Sequence, residues 1–481
     1  MSGKHFLMVI LTLCQSCCFV FGNKSDFETD SNDFRDNIPA IHDTIIINKI
    51  IIIGNIITKP NIILRELSFH ENDTVDTDKL ISLIEQSKKN LLNTSLFNFA
   101  EIDTININNS RINITIDLIE RWYIWPSPFF QLADRNFNVW WETKDLSKAD
   151  YGLYLNWENF RGRKENLSFL IRLGYDESFS ISYKIPYINR KKTLGVGFIL
   201  SASGNHEVAY KNFENRQVFF KDKENYLQTN IFSTFSITYR KNIFNIHTFQ
   251  INYNDYSFAD TLLKLNPEFS TQKHLQFFTF YYMFKSDHRD IKAYPLKGYY
   301  FDVELVKNGL GILKNENIEM AFIHASARKF WNIYKRWYFS GGINARLSTS
   351  AFQPYFMERG LGYGNEFVRS YEYFVVSGQS FALLKTNLKF ELIPTKVKKL
   401  NFIPAKKFSK LYYSLYLNLL GDAAYVYDKK ITDDNNLSNT PLLGTGLGID
   451  FVTYYDKVFR LEYSINKKGK SGIFIHFVSP I

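Results

Sequence analysis

Residues 178–185 read Ser-Phe-Ser-Ile-Ser-Tyr-Lys-Ile. Phe179, Ile181, Tyr183 and Ile185 alternate with Ser178, Ser180, Ser182 and Lys184, which places the apolar side chains on one face of a strand and the polar ones on the other. The pattern recurs along the chain. Leu167, Phe169, Ile171, Leu173 and Tyr175 precede this strand across a short Asp176-Glu177 turn. Tyr299, Phe301, Val303 and Leu305 oppose Tyr300, Asp302 and Glu304; Trp337, Phe339, Ile343 and Leu347 alternate with Asn344 and Arg346. Phe459, Leu461, Tyr463 and Ile465 alternate with Arg460, Glu462 and Ser464. Longer polar segments at 204–226, 256–272, 286–296 and 427–441 separate some of the pairs. Short turns on one side and long loops on the other, joining two-faced strands of about 9 to 11 residues, predict a transmembrane β-barrel. Residues 128–481 would hold roughly sixteen antiparallel strands at about 22 residues per strand and connection.

Alternation alone also fits a soluble multi-sheet protein, and composition decides between them. Aromatic residues make up 17% of the 481 residues, with 44 Phe and 30 Tyr, yet the mean hydropathy is slightly negative. Rings are favoured at both bilayer interfaces, and a barrel's polar interior lowers average hydropathy. The densest apolar run, Thr44 to Ile57, is broken by Asn48, Lys49, Gly54 and Asn55, so strands and not helices would cross a membrane. All three cysteines, Cys14, Cys17 and Cys18, fall in the first eighteen residues. Lys4, the apolar Phe6–Leu13 and the small or tolerated Val20 and Gly22 make residues 1–22 an expected cleavable export signal. The mature chain would then carry no thiol. The net charge of +10 comes from Lys and Arg read as scattered through loops, which argues against nucleic acid as a partner.

Residues 23–43 are polar and acidic and are expected to form a flexible lead. A different texture occupies 44–124. A β-branched strand begins at Thr44 and is interrupted at Gly54-Asn55; Lys59-Pro60 opens a helix carrying Ile62, Ile63, Glu66 and Leu67. After a polar turn at 70–76, Asp76 or Thr77 caps a second helix with Leu80, Ile81, Ile84, Leu91 and Leu92 as its apolar stripe. Two strands, Ala100–Ile107 and Arg111–Trp122, close a small α+β unit in the order βααββ. Residues 125–481 form the expected barrel.

Gly360–Glu372, GLGYGNEFVRSYE, followed by Gly378-Gln379-Ser380-Phe381 and Lys385, resembles the signature loop of the BamA/TamA superfamily of outer-membrane insertases and translocators. The family motif there is Val-Arg-Gly-Tyr/Phe; this chain has Val368, Arg369, Ser370 and Tyr371, with serine in the glycine position. The α+β unit resembles a single POTRA module, through Gly54-Asn55, Arg65-Glu66-Leu67 and Asn93–Phe97. Asp134–Asn138 with Trp140 is similar to versions found in the Bacteroidetes. Arg369 can sit on the rim in water, or fold into the lumen and pair with an interior carboxylate. The resemblance implies the second, since the family's loop arginine meets the Asp of a Phe-x-Asp-x-Gly motif. The matching stretch here is Leu420-Gly421-Asp422-Ala423-Ala424. Strand parity places Asp422 on the lumen side with Ser414 and Asn418, and Glu391 there with Lys385, Asn387 and Lys389, so Asp422 and Glu391 are the candidate partners. Lys470, Gly472, Ile475 and Phe477 fit the family's C-terminal assembly signal, with Val478–Ile481 following.

No catalytic constellation, zinc-ligand spacing, phosphate cradle or nucleophile elbow is present in the sequence, so neither an enzyme nor a cofactor is expected. The histidines are dispersed. The resemblance implies an outer-membrane assembly, insertion or translocation factor, with the POTRA module in the periplasm. Its partners would be the bilayer, unfolded outer-membrane or secreted clients, and accessory periplasmic proteins. It would act by templating strands at a seam between a first strand near Phe137–Thr143 and a last strand at Gly472–Phe477, and by β-addition at a POTRA edge near Thr44–Ile52. Ser370 and the altered Asp422 flanks leave open a passive channel or surface-antigen barrel.

Overall fold

The computed structural model describes residues 44–108, 110–132, 144, 149–350, 352–399, 410–430, 435–453 and 457–477. The expected signal and lead, Asp134–Asn138 with Trp140, the Phe137–Thr143 strand and Val478–Ile481 all lie outside the described residues.

The N-terminal module contains β1 (Thr44–Ile53), α1 (Pro60–Leu64), β2 (Thr74–Asp76), α2 (Thr77–Leu92), β3 (Phe97–Asn108) and β4 (Arg111–Glu120). Its sheet runs β2-β1-β4-β3, with β1 parallel to β4. β2 is an addition to the expected βααββ order: within the segment read as a turn, Thr74–Asp76 pairs antiparallel with Thr44–Ile46, which buries Val75. That strand caps part of the β1 edge, so β2 and β3 are the two ends of the sheet order. β1 stops where Gly54 takes φ +85°, and a Cβ there would lie 2.0 Å from the Leu118 carbonyl oxygen. On α2, Leu80, Ile84 and Leu91 are buried, but Ile81 is exposed. Ser87 and Asn90 occupy the stripe instead: Ser87 Oγ accepts from Ser68 N at 2.9 Å, and Asn90 Nδ2 donates to Glu66 O at 3.1 Å. A buried polar side chain is tolerated where it is bonded, and here it ties α2 to the end of α1.

Sixteen strands form the second sheet. They begin with β5 (Ile124–Leu132), β6 (Ala149–Phe160), β7 (Glu165–Gly174), β8 (Asp176–Ile185) and β9 (Leu194–Asn205). A separate hairpin, β10 (Glu207–Phe213) and β11 (Arg216–Lys221), interrupts the order. The sheet resumes with β12 (Gln228–Tyr239), β13 (Asn245–Phe258), then after α3 (Asp260–Leu265) β14 (His274–Asp287), β15 (Gly298–Asn308), β16 (Met320–Tyr334) and β17 (Trp337–Ser348). It ends with β18 (Ser380–Lys399), β19 (Lys410–Tyr427), β20 (Pro441–Thr453), β21 (Lys457–Asn466) and β22 (Ser471–His476). Every neighbouring pair is antiparallel, and β5 and β22 are the two ends of the order; no pairing joins them among the described residues.

The alternation is inside out relative to a soluble protein. Phe179, Ile181, Leu417, Leu419, Leu461 and Tyr463 are exposed, while Ser414, Asn418, Glu462 and Ser464 are buried. An apolar exterior around a polar interior suits a sheet whose strands satisfy one another's backbone in lipid, and the chain is a transmembrane barrel. Among the described residues no helix is long and apolar enough to cross a membrane. The long segment at 286–296 falls on the same side as the N-terminal module, against the expected segregation of long loops. It is held there because Asn93 Nδ2 donates to Asp290 O at 3.2 Å and Tyr294 inserts into the barrel.

The module sits across that end of the barrel through Glu66, a carboxylate with 1% exposure. Arg240, in the β12–β13 turn, donates Nη1 to Glu66 Oε1 at 2.8 Å and Nη2 to Oε2 at 2.9 Å. Tyr187 OH adds a bond at 3.1 Å, and Lys164 Nζ lies 3.6 Å away. Arg65 donates to the carbonyls of Lys192 and Arg240 at 2.9 and 3.0 Å. Burial pushes the Glu66 carboxyl up, but Lys164 and Arg240 outweigh it and hold it at about 2. An undocked Glu titrates near about 4.3, so docking gains from this group above that pH and loses the gain as pH falls toward about 2. Spin labels at E85C and K241C should report one fixed distance from neutral pH to about pH 5 and a broadened one in stronger acid. Glu66→Gln should broaden it at neutral pH.

Candidate functional site

The segment 349–379 joins β17 to β18 and folds into the lumen. Its anchor is Arg369, with 0% exposure. The guanidinium Nη1 bonds Asp422 Oδ1 on β19, and Nε donates to Glu462 Oε2 on β21 at 3.3 Å. The Arg369 backbone N–H also donates to Asp422 Oδ2 at 3.1 Å, and Lys385 Nζ of β18 approaches that oxygen at 3.8 Å. Two carboxylates and two cations thus meet in one buried cluster, the arrangement in which burial of charge is tolerated.

The sheet prepares the seat. Lys385, Asp422, Gly444 and Asn466 lie in one row across β18, β19, β20 and β21. A Cβ at Gly444 would fall 2.2 Å from Arg369 O, so glycine is what lets the loop backbone reach the wall. Asn466 Nδ2 donates to Ser370 O at 2.8 Å.

Ser370 takes φ +64°, the left-handed region that glycine occupies without strain. Serine holds this conformation at an expense of roughly 1 kcal/mol relative to glycine. Its hydroxyl offsets part of that by donating to Lys470 O at 2.8 Å. The loop motif and the C-terminal signal therefore touch. Val368 and Tyr371 are buried in a cluster with Leu361, Phe381 and Leu442.

Glu391 is not a partner of Arg369. Lys385 stands opposite Asp422, and Glu391 lies six residues further along β18, opposite Tyr416, on the order of 20 Å away at about 3.3 Å per residue. Its Oε1 accepts from Tyr416 OH at 3.3 Å. Ile473, Ile475 and Phe477 are exposed on the outer face, while Phe474 is buried against Tyr373 of the loop.

A second cluster was not singled out in the sequence. Arg460 of β21 makes a bidentate bond to Asp450 of β20, Nε to Oδ1 at 2.6 Å and Nη2 to Oδ2 at 2.7 Å. Tyr294 OH donates to Asp450 Oδ2 at 2.7 Å, and Lys389 Nζ stands 4.1 Å over the Tyr294 ring. The Arg460, Glu462 and Ser464 parity marked the lumen face, but only the fold brings Tyr294 to it. The dispersed histidines also gather with carboxylates: Asp302, Glu304 and His324 form one group, and Glu372, Glu462 and His476 another, each with ligand atoms within 4.8 Å. His324 Nε2 lies 3.0 Å from Glu366 Oε1, which ties the loop to β16 as well.

Residues 45–121 match the family model for POTRA, described as surface antigen variable number repeat. Among solved structures, CdiB from Escherichia coli aligns with a TM-score of 0.55 at 11% identity, over 90% of this chain and 75% of that one. BamA from Haemophilus ducreyi lacking POTRA domains 1–3 aligns at 0.49 and 13% identity, over 90% and 83%. CdiB from Acinetobacter baumannii aligns at 0.49 and 10% identity, over 90% and 74%. No curated protein matches the sequence. The N-terminal module is a POTRA domain. The chain as a whole shares the fold of CdiB, a POTRA module followed by a barrel.

Breaking the buried cluster should cost about 3 to 5 kcal/mol for Arg369→Ala, read as a lower temperature of heat-modifiable migration. Asp422→Ala should cost a similar amount, and the double variant less than the sum. Glu391→Gln should be neutral within about 0.5 kcal/mol. Ser370→Ala, which keeps the strain and loses the hydroxyl, should destabilise by about 1 kcal/mol, while Ser370→Gly should stay near the wild-type value.

Proposed function

We propose that this protein is an outer-membrane insertion or translocation factor, with residues 44–124 in the periplasm and residues 125–481 as its barrel. The supporting observation is the seam. Among the described residues β5 and β22 are the two ends of the sheet order, and β22 has 6 residues against the 10 of its neighbour β21. A short terminal strand has few hydrogen bonds to part, and an incoming strand of a client can pair with the edge that parting exposes by β-addition. That step calls for no cofactor.

The passive-barrel reading draws on Ser370 and the altered flanks of Asp422. It loses weight because Ser370 holds the left-handed geometry and Asp422 receives Arg369.

Photocrosslinking residues placed at Ser127 on β5 and Ile473 on β22 should capture nascent outer-membrane or secreted chains, and depletion should lower the amounts of other barrels or of secreted clients. Unchanged levels of both together with no seam crosslink would establish the passive barrel instead.

A further inference from the structure

β18 and β19 outrun the rest of the barrel at the POTRA end. Pairing of β17 with β18 ends at Trp337 and Phe390, and pairing of β19 with β20 ends at Tyr413 and Thr453. β18 and β19 nevertheless remain paired to Lys399 and Lys410, through register shifts at Glu391/Ile393 and Ile393/Lys396. Glu391 N and Leu392 O still bond Arg336 of the β16–β17 turn, so the last seven residues of β18 are flanked by β19 only, and at about 3.3 Å per residue they project on the order of 20 Å. Such bulges twist a ribbon out of the plane of its sheet. Every residue from 394 to 399 is exposed.

The ribbon's chemistry is distinctive. Lys396, Lys398 and Lys399 stand on it, opposite Tyr413, Leu411 and Lys410, and the sequence from 392 to 421 contains no Asp or Glu. Val397, between the lysines, is 59% exposed. This is a concentrated basic segment in a chain whose positive charge otherwise reads as scattered. It begins where the lipid-facing apolar column of the same two strands ends, a column that runs from Leu384 to Leu392 on β18 and includes Leu419 and Leu417 on β19, all four exposed. A basic, tyrosine-bearing ribbon continuous with the apolar band lies at headgroup depth, where Lys meets phosphate and aromatic side chains are favoured.

We propose that the β18–β19 ribbon binds anionic phospholipid headgroups of the leaflet on the POTRA side, through Lys396, Lys398 and Lys399. The site is separate from the seam and from the Arg369 cluster, so it stands whether or not the barrel inserts clients. An acidic protein segment is the competing occupant. Continuity with the lipid-facing band favours the membrane.

The test uses the full chain, delipidated in a neutral detergent, given phosphatidylglycerol or phosphatidylcholine, and read by native mass spectrometry for retained lipid. The wild type should retain phosphatidylglycerol over phosphatidylcholine, and retention should fall with salt. The variant K396Q/K398Q/K399Q should lose at least about tenfold of the phosphatidylglycerol affinity, since each surface lysine contributes a factor of about five. K223Q/K264Q/K314Q, on exposed positions at the opposite end, should retain it. Unchanged heat-modifiable migration establishes that the variants are folded. Equal retention of the two lipids, equal loss in both variants, or no loss in the ribbon variant would each overturn the proposal. So would a ribbon variant that loses binding to poly-glutamate while keeping phosphatidylglycerol, which would assign the surface to an acidic protein.

Discussion

A guanidinium cannot be buried in a barrel without its counter-charges, and Arg369 organises the lumen for that reason. Asp422 on β19 and Glu462 on β21 receive it from two strands at once, with Gly444 between them clearing room for the loop backbone. The arrangement makes the segment 349–379 an interior element of the wall. Removing either carboxylate would leave charge without compensation, a larger effect than the net worth of the bonds themselves. Ser370 depends on this anchor too, because a left-handed serine persists only where its surroundings hold it. Asn466 on its carbonyl and Lys470 beneath its hydroxyl do so.

The class of fold was legible because a period of two is a local property. Each strand declares its two faces within a few residues, as Phe179 and Ile181 do against Ser180 and Ser182, and repetition along the chain then yields a number of strands. Parity also placed Asp422, Asn418 and Lys385 on the lumen side. Parity gives a face and no depth, however, and that is why Glu391 shared the face with Asp422 but lies far along the strand, at Tyr416. The apolar stripe of α2 was misjudged at Ile81 for a related reason. Hydrophobicity marked the stripe, whereas Ser87 and Asn90 fill it with hydrogen bonds that composition does not announce.

What stayed illegible are contacts between elements far apart in the chain. Glu66 reads as an ordinary helix-end carboxylate until Arg240 and Tyr187 arrive from two barrel turns. Tyr294 reads as part of a polar connection until it reaches Asp450. The two are neighbours in function of place: the turn carrying Tyr294 also carries Asp290, whose carbonyl receives Asn93 of the POTRA domain. One turn therefore touches both the POTRA domain and the Asp450–Arg460 pair, so displacement of the domain bears directly on a buried ion pair of the wall.

The distribution of these anchors bears on how such a barrel could open. Both buried ion clusters join β18 to β21, and the POTRA contacts fall on turns between β6 and β15. β22 supplies no member of either guanidinium–carboxylate pair, although its His476 stands with Glu372 and Glu462. It is held by pairing with β21, by Phe474 against Tyr373, and by the Phe367 ring stacked on His476. Parting β5 from β22 breaks none of the charged contacts, whereas parting any pair from β18 to β21 would separate a guanidinium from its carboxylates or strip the loop from its seat. On the proposed function, the least costly place to admit a client strand is between β5 and β22, and the ion clusters would keep the remaining staves together meanwhile.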